Sequence, residues 1–336
     1  MFNHHTRSWR FGLVFAAMLA LSALSATPIL ADSTQFSGQA TGVKATVVGV
    51  GPILISDTGP LDAEGGQKEM SLLSENVPGV LTAEVFHSST VGQGDRSRSE
   101  ASVAALDLTV GGNTIGADFL MARATAVCSS NGSSSVSGSS EIAALMVNGQ
   151  TIVVSGQPNQ TIDLPLGAKV IINEQSGNSG DITVNALHVI VPSVADVIVA
   201  SAHADVKCLG KPICDSPNDF VTGGGWITNG GSKANFAVGG GTKNGFWGHL
   251  QYIDHGTGLK VKGTGVTAYG VVDATTRHIE GTCEVNGVSG YTYKVDVADI
   301  AEPGKDADSF SIIVSNGYGA GKKLDGGNIQ LHKPCR

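Results

Sequence analysis

Leu145-Met-Val-Asn-Gly-Gln-Thr-Ile-Val-Val154 sets the dipeptide Asn148-Gly149 between two short apolar runs. Asn-Gly tolerates positive φ at both central positions of a type I′ turn, whose twist matches that of two antiparallel strands, so the stretch predicts a β-hairpin. Upstream, Gly111-Gly112 separates Leu108-Thr-Val110 from Thr114-Ile115 in the same manner. Runs alternating apolar with small or polar residues surround these turns, over 42–55, 102–110, 119–128 and 184–191, and predict strands. No helical stripe spans more than a few residues, so a parallel sheet with crossover helices is not expected. Residues 129–140, dense in Ser and Gly, read as a flexible surface loop.

The composition changes over 209–218, where Gly210, Pro212 and Pro217 mark a linker. Beyond it, Phe220-Val-Thr-Gly-Gly-Gly-Trp226-Ile227 reads as a strand whose glycines let another backbone approach beside a buried indole. Further strands are predicted over 233–238, 245–253, 259–272, 278–285, 291–300, 310–314 and 326–331. The predicted fold is all-β, with two antiparallel β-sandwich or barrel-like domains in tandem, 32–208 and 219–336.

The first 31 residues have the layout of a secretory signal. His4, His5, Arg7 and Arg10 precede the apolar stretch 11–24, and small residues lead to an expected cleavage after Ala31. That stretch is shorter than the roughly 20 residues a spanning helix needs, and no comparable run follows. A secreted or surface-associated protein without its own anchor is therefore expected. Losing Arg7 and Arg10 takes the formal charge from −8 to −10. So acidic a surface repels phosphate backbones, which argues against a nucleic-acid partner.

Cys128, Cys208, Cys214, Cys283 and Cys335 show no CxxC spacing, so in an exported chain they are disulfide candidates before they are metal ligands. The preferred pairing is Cys128 with Cys208 and Cys283 with Cys335, one bridge per domain, which leaves Cys214 over. Pairing of Cys208 with Cys214 is the rival, and sequence alone does not choose between them.

The order of several motifs carries a resemblance. Glu100-Ala-Ser-Val-Ala-Ala-Leu-Asp-Leu108, Ile115-Gly-Ala117, Met146-Val-Asn-Gly-Gln150, Pro158-Asn159, Ile162-Asp-Leu-Pro165, Ile172-Asn-Glu-Gln175 and Ile182-Thr-Val-Asn-Ala-Leu-His-Val189 follow in sequence. Together they resemble the choice-of-anchor P family of bacterial exported proteins over nearly all of 36–208. Phe220-Val-Thr-Gly-Gly-Gly-Trp226, Gly245-Phe-Trp-Gly248, Asp299-Ile-Ala-Glu-Pro-Gly304 and Asp308-Ser-Phe310 look like the β domain commonly found directly after such regions. The resemblance implies an extracellular or surface-associated protein and supplies no catalytic residues.

Three groups of residues could carry chemistry. Asp296, Asp299, Glu302, Asp306 and Asp308 surround the Pro303-Gly304 turn, and a carboxylate-dense loop suits Ca²⁺, although its spacing departs from the EF-hand pattern. Asp215 and Asp219 form a second acidic pair at the linker. Trp226, Trp247 and Tyr252, with Tyr269, could form a glycan-stacking surface or pack inward. His249 and His255 flank Tyr252, but at strand spacing they stand about 20 Å apart, too far for one ion. Gly317-Tyr-Gly-Ala-Gly-Lys-Lys323 misses the phosphate-loop spacing and reads as a glycine hairpin, and neither GxSxG nor HExxH occurs. The expectation is a structural or adhesion-type protein without catalytic activity, whose partner is an extracellular polysaccharide or protein. The alternatives are a carbohydrate- or calcium-dependent binder using the C-terminal domain, then a secreted hydrolase of unfamiliar type.

Overall fold

A computed structural model describes residue 1 and residues 34–209 and 218–333. The expected signal segment, most of the linker with Cys214 and Asp215, and Cys335 lie outside the described residues.

The first half supplies β1 (Gln35–Val47), β2 (Gly51–Asp57), β3 (Gly66–Val77), β4 (Leu81–Gln93), β5 (Arg96–Val110), β6 (Asn113–Cys128) and β7 (Ser134–Ala143). The short pair β8 (Met146–Val147) and β9 (Gln150–Thr151) follows, then β10 (Gln160–Asp163), β11 (Lys169–Gly177), β12 (Asp181–Val191) and β13 (Ala195–Lys207). Asn148 and Gly149 take φ of 50° and 76° between β8 and β9, as a type I′ turn requires. Gly111 and Gly112, at 54° and 78°, do the same between β5 and β6. Within 42–55 the chain turns at 48–50, so that stretch is a hairpin of β1 and β2.

Two antiparallel sheets result. One has the order β10-β11-β12-β13-β1-β2; the other runs β3-β4-β5-β6, with β7 and the β8-β9 hairpin both pairing from β6. They face each other over a core that includes Val43, Phe86, Val103, Leu120, Val184 and Val199. The expected loop over 129–140 is a correction: only its first residues turn, and the rest is β7, laddered along β6 from Cys128↔Ser134 to Phe119↔Ala143. Gly138 serves packing there, since a Cβ on it would stand 2.5 Å from a Val184 methyl of the opposite sheet, while Ser135, Ser137 and Ser139 line the exposed face of the strand. Cys128 and Cys208 form a disulfide that ties the end of β6 to the end of β13.

The second half contributes β14 (Phe220–Asn229), β15 (Ser232–Thr242), β16 (Phe246–Asp254), β17 (Leu259–Val271), β18 (Thr276–Val285), β19 (Val288–Ala298), β20 (Ser309–Val314), β21 (Gly319–Lys323) and β22 (Gly326–His332). They form one antiparallel sheet, β21-β20-β19-β18-β17-β16-β15-β14-β22, curled into a half-barrel. Its concave side holds Phe236 stacked on Phe310 at 4.1 Å, with Tyr252, Ile279 and Tyr293 around them. Cys283 is buried in this core, where desolvation pushes its thiol up to about 11; it has no disulfide partner among the described residues.

The β3–β7 sheet is covered on both faces. Residues 85–92 of β4 and 99–104 of β5 are buried without a break, the signature of a strand with no wet side. A bulge in β4, where Val85 takes φ of 45°, sends Val85 to the outer face while Ala83 and Phe86 stay in the sandwich core. On that outer face Val85, Ala104, Phe119 and Met121 pack against Trp226, Ala237 and Ile253 of the half-barrel. Glycine makes the approach possible: a Cβ on Gly224 would lie 2.5 Å from Ser102 Oγ.

Candidate functional site

The seam between the β3–β7 sheet and the half-barrel carries charge where the strand pattern leads one to expect apolar residues. Arg98 and Glu100 are two apart on β5, hence on one face, and the register sets them opposite Thr125 and Arg123 of β6. Both pairs point toward the half-barrel, whose turn at 302–305 and strand β22 close over them. The result is a cleft of about 500 Å³, lined by these four residues together with Glu141, Glu302 and Asn328.

Hydrogen bonds fix most of its walls. Arg98 Nη1 donates to Glu302 Oε1 at 3.1 Å, and Arg123 Nη2 to Glu141 Oε2 at 3.2 Å. Asn328 Nδ2 donates to Glu100 Oε2 at 3.2 Å while its Oδ1 accepts from the Gly304 amide at 2.8 Å, which sets the 302–305 turn. Four buried polar atoms keep no hydrogen-bond partner: Glu100 Oε1, Glu141 Oε1, and Nε and Nη1 of Arg123. Burial pushes the Glu100 carboxyl up to about 7, against the opposing pull of Arg123. Burial also raises Glu141.

Of the carboxylates expected around a cation, Asp299, Glu302 and Asp308 lie near one another, burial and their mutual charge raising the carboxyls of Asp299 and Glu302, but each is engaged by other partners. Asp308 is buried and accepts from the amides of Ile300 (2.8 Å), Ala301 (3.2 Å) and Ile329 (2.9 Å). Asp299 accepts from the Leu331 amide at 2.7 Å, so both pin the turn to β22. Glu302 faces Arg98, Asp306 is an exposed turn residue with φ of 63°, and Asp296 holds His278 Nδ1 at 2.6 Å. Among the described residues no three His, Cys, Asp or Glu side chains are grouped as metal ligands. Asp219 belongs to the half-barrel, bound to Arg277 and to the Tyr269 hydroxyl.

Two of the three rings expected to offer a stacking surface are interior. Trp226 lies 4.9 Å from Phe119 in the seam, and Tyr252 shares its hydroxyl with Tyr318 at 2.6 Å inside the half-barrel. A ring buried on both faces offers none to a sugar, whereas Trp247 borders a cavity. His249 and His255 separate as their spacing requires: His249 meets Glu69, and His255 meets Asn235. Glu174, Asn185 and His188 satisfy one another, Glu174 Oε2 accepting from Asn185 at 2.6 Å and lying 2.9 Å from His188 Nδ1.

Arg98, Glu100, Arg123 and Glu141 were not singled out by residue type or motif. The signals present are charges alternating with serine in Arg96-Ser-Arg98-Ser-Glu100 and a single Arg123 inside the apolar run 119–127, in a chain in which charged residues are only 15% of the total. No family model, no curated protein and no solved structure matches this chain.

Proposed function

We propose that this chain is a secreted or surface-associated module of adhesion type, which works by holding a saccharide in the cleft between the β3–β7 sheet and the half-barrel. The observation that carries this is the set of four buried polar atoms without partners, two acceptors on Glu100 and Glu141 and two donors on Arg123, facing one cleft. A buried polar group left unpaired costs about 1–3 kcal/mol, which a ligand recovers by pairing it. A hydroxyl group donates and accepts at once, so a polyol can satisfy both carboxylate oxygens and both guanidinium nitrogens. A single carboxylate or phosphate fits worse: Arg123 Nε and Nη1 diverge on either side of Nη2, which Glu141 holds, and the three basic side chains of the cleft, Arg98, Arg123 and Lys305, are matched by the three acids Glu100, Glu141 and Glu302. The signal-like first 31 residues, the Cys128–Cys208 bridge and the resemblance of 36–208 to choice-of-anchor P proteins support an extracellular setting.

A glycan array probed with the oxidised protein, followed by calorimetric titration of the sugars it captures, tests the reading. Ser139 lines the cleft from an exposed position, so Ser139→Trp is expected to abolish capture at an unchanged unfolding temperature. No capture by the parent protein, or equal capture by Ser139→Trp, overturns it.

A further inference from the structure

At the other side of the same seam, two strands face each other with matched rows of side chains. Gln67, Glu69 and Ser71 alternate along β3, and Trp247, His249 and Gln251 alternate along β16. Between them lies an open pocket of about 480 Å³. Glu69 Oε2 stands 3.1 Å from His249 Nδ1, and the Glu69 side chain is only 9% exposed. Gln251 is buried, with its Nε2 directed at Ser71 Oγ at 3.5 Å. Behind them His87 sits 5.6 Å from His249, ring to ring. Gly239 forms the floor: a Cβ there would stand 2.4 Å from Glu69 Oε2 and 2.8 Å from the His249 ring, so the cradle needs glycine.

The unpartnered atoms of this pocket have one sign. Both Glu69 oxygens, Gln251 Oε1 and His249 Nε2 are buried without a hydrogen-bond partner. His249 Nδ1 stands 3.1 Å from Glu69 Oε2 without forming a hydrogen bond, and in the tautomer that carries its proton on Nδ1 the Nε2 atom presents a lone pair. In that tautomer each of these four atoms accepts, two of them belong to the Glu69 carboxyl, and the Trp247 indole borders the same space, a surface that attracts cations. The complement is a cation that brings N–H donors.

We propose that this pocket is a binding site for a primary ammonium group, seated between Glu69, His249 Nε2 and Gln251 Oε1 against the Trp247 ring. A primary ammonium carries three donors for these acceptors, and its bond to the carboxylate is charge-assisted. Among the described residues no three metal-ligating side chains are grouped, which favours an organic cation over a metal ion. The site is separate from the saccharide cleft and does not depend on it.

Trp247 supplies the readout, because the other tryptophan beyond residue 31, Trp226, is buried in the seam. Tryptophan fluorescence of the oxidised protein is titrated with 1,5-diaminopentane, Nα-acetyl-lysine methylamide and glucosamine, which represent a free diamine, a protein side chain and an amino sugar. N-acetylglucosamine and tetramethylammonium, which lack the ammonium N–H, are controls, and zinc ion is titrated separately. Saturable binding of at least one amine at millimolar concentration or below is expected, with no response to the controls and at least a tenfold loss in Glu69→Gln. Gln67→Lys, two residues away on the same face, offers Glu69 an ammonium from the chain itself and is expected to abolish amine binding while the protein stays folded. Absence of amine binding to the folded parent protein overturns the proposal. So does an equal response to tetramethylammonium, or saturable zinc binding that needs Glu69 and His249 without any amine response. Ser139→Trp is expected to leave amine binding untouched, so failure here and failure of the saccharide reading are told apart.

Discussion

Removing the Cys128–Cys208 bridge has a calculable effect. The two cysteines are 80 residues apart in sequence, and the bridge closes a loop running through β7 to β13. In the chain-entropy treatment a loop of that length restricts the unfolded ensemble by about 15 cal/mol/K, or about 4.5 kcal/mol at 25 °C. Unfolding entropy near the midpoint is about 2.1 cal/mol/K per residue, so on the order of 300 residues give about 0.6 kcal/mol per degree. The double variant Cys128→Ser, Cys208→Ser is therefore expected to melt about 7 °C lower than the oxidised parent protein. Reducing the parent should give the same shift, whereas Cys214→Ser should give none. Differential scanning calorimetry measures the shift and non-reducing peptide mapping establishes the pairing. A loss below about 2 °C, or a map joining Cys208 to Cys214, would refute the reasoning, because the loop would then not be the one restricting the unfolded chain.

Three further outcomes follow from the seam. Gly326→Ala sets a Cβ within 1.7 Å of the Trp226 ring and is expected to destabilise by about 1–3 kcal/mol or more in chemical denaturation, whereas Gly230→Ala, in an open turn, costs only its positive φ. His332 is buried and desolvation holds it down at about 3, so the folded state resists a proton that the unfolded chain takes near 6.5; stability is complete above 6.5 and falls as pH drops from 6.5 toward 3, and His332→Gln should flatten that acid limb. Glu100 has the opposite sense: its folded carboxyl is raised from 4.5 to about 7, so its contribution is present below 4.5 and is lost as pH rises to 7, a difference on the order of 3 kcal/mol that Glu100→Gln should remove from the pH profile of urea unfolding.

Local chemistry made the strands and turns readable. Asn148-Gly149 and Gly111-Gly112 adopt the positive φ their residue types favour, and the alternating runs of the second half are strands of one sheet. Cys128 and Cys208 end strands of facing sheets, which brings this expected pair together, while the expected partner of Cys283 lies outside the described residues. Residues 129–140 misled because Ser and Gly lower strand propensity, yet packing against Val184 demands glycine at 138 and the ladder along β6 overrides the propensity. The cleft and the amine pocket were illegible for a different reason. Each takes its walls from strands more than a hundred residues apart, and period-2 alternation says which residues share a face but not what covers it. Trp226 and Tyr252 show the same limit, since an aromatic in a strand has the same signature whether its ring meets sugar or Phe119.

The outer face of the β3–β7 sheet explains why chemistry collects at its margins. Only its middle is apolar, where Val85, Ala104, Phe119 and Met121 meet the half-barrel. On the β3 side the same face carries Glu69 and His87, and on the β5–β7 side Glu100, Arg123 and Glu141. Purely structural burial would favour apolar residues throughout, because desolvating a carboxylate or guanidinium costs several kcal/mol unless each is fully paired. These are not fully paired, so they lower the stability of the seam that contains them. Groups that weaken a fold while lining cavities support the proposal of sites that take a ligand, since a ligand would supply the missing partners. The apolar middle compensates by fixing the two halves in one arrangement, and the ladders that set Phe119 opposite Ala104 also set Arg123 opposite Glu100. Packing and polar cleft thus follow from a single strand register.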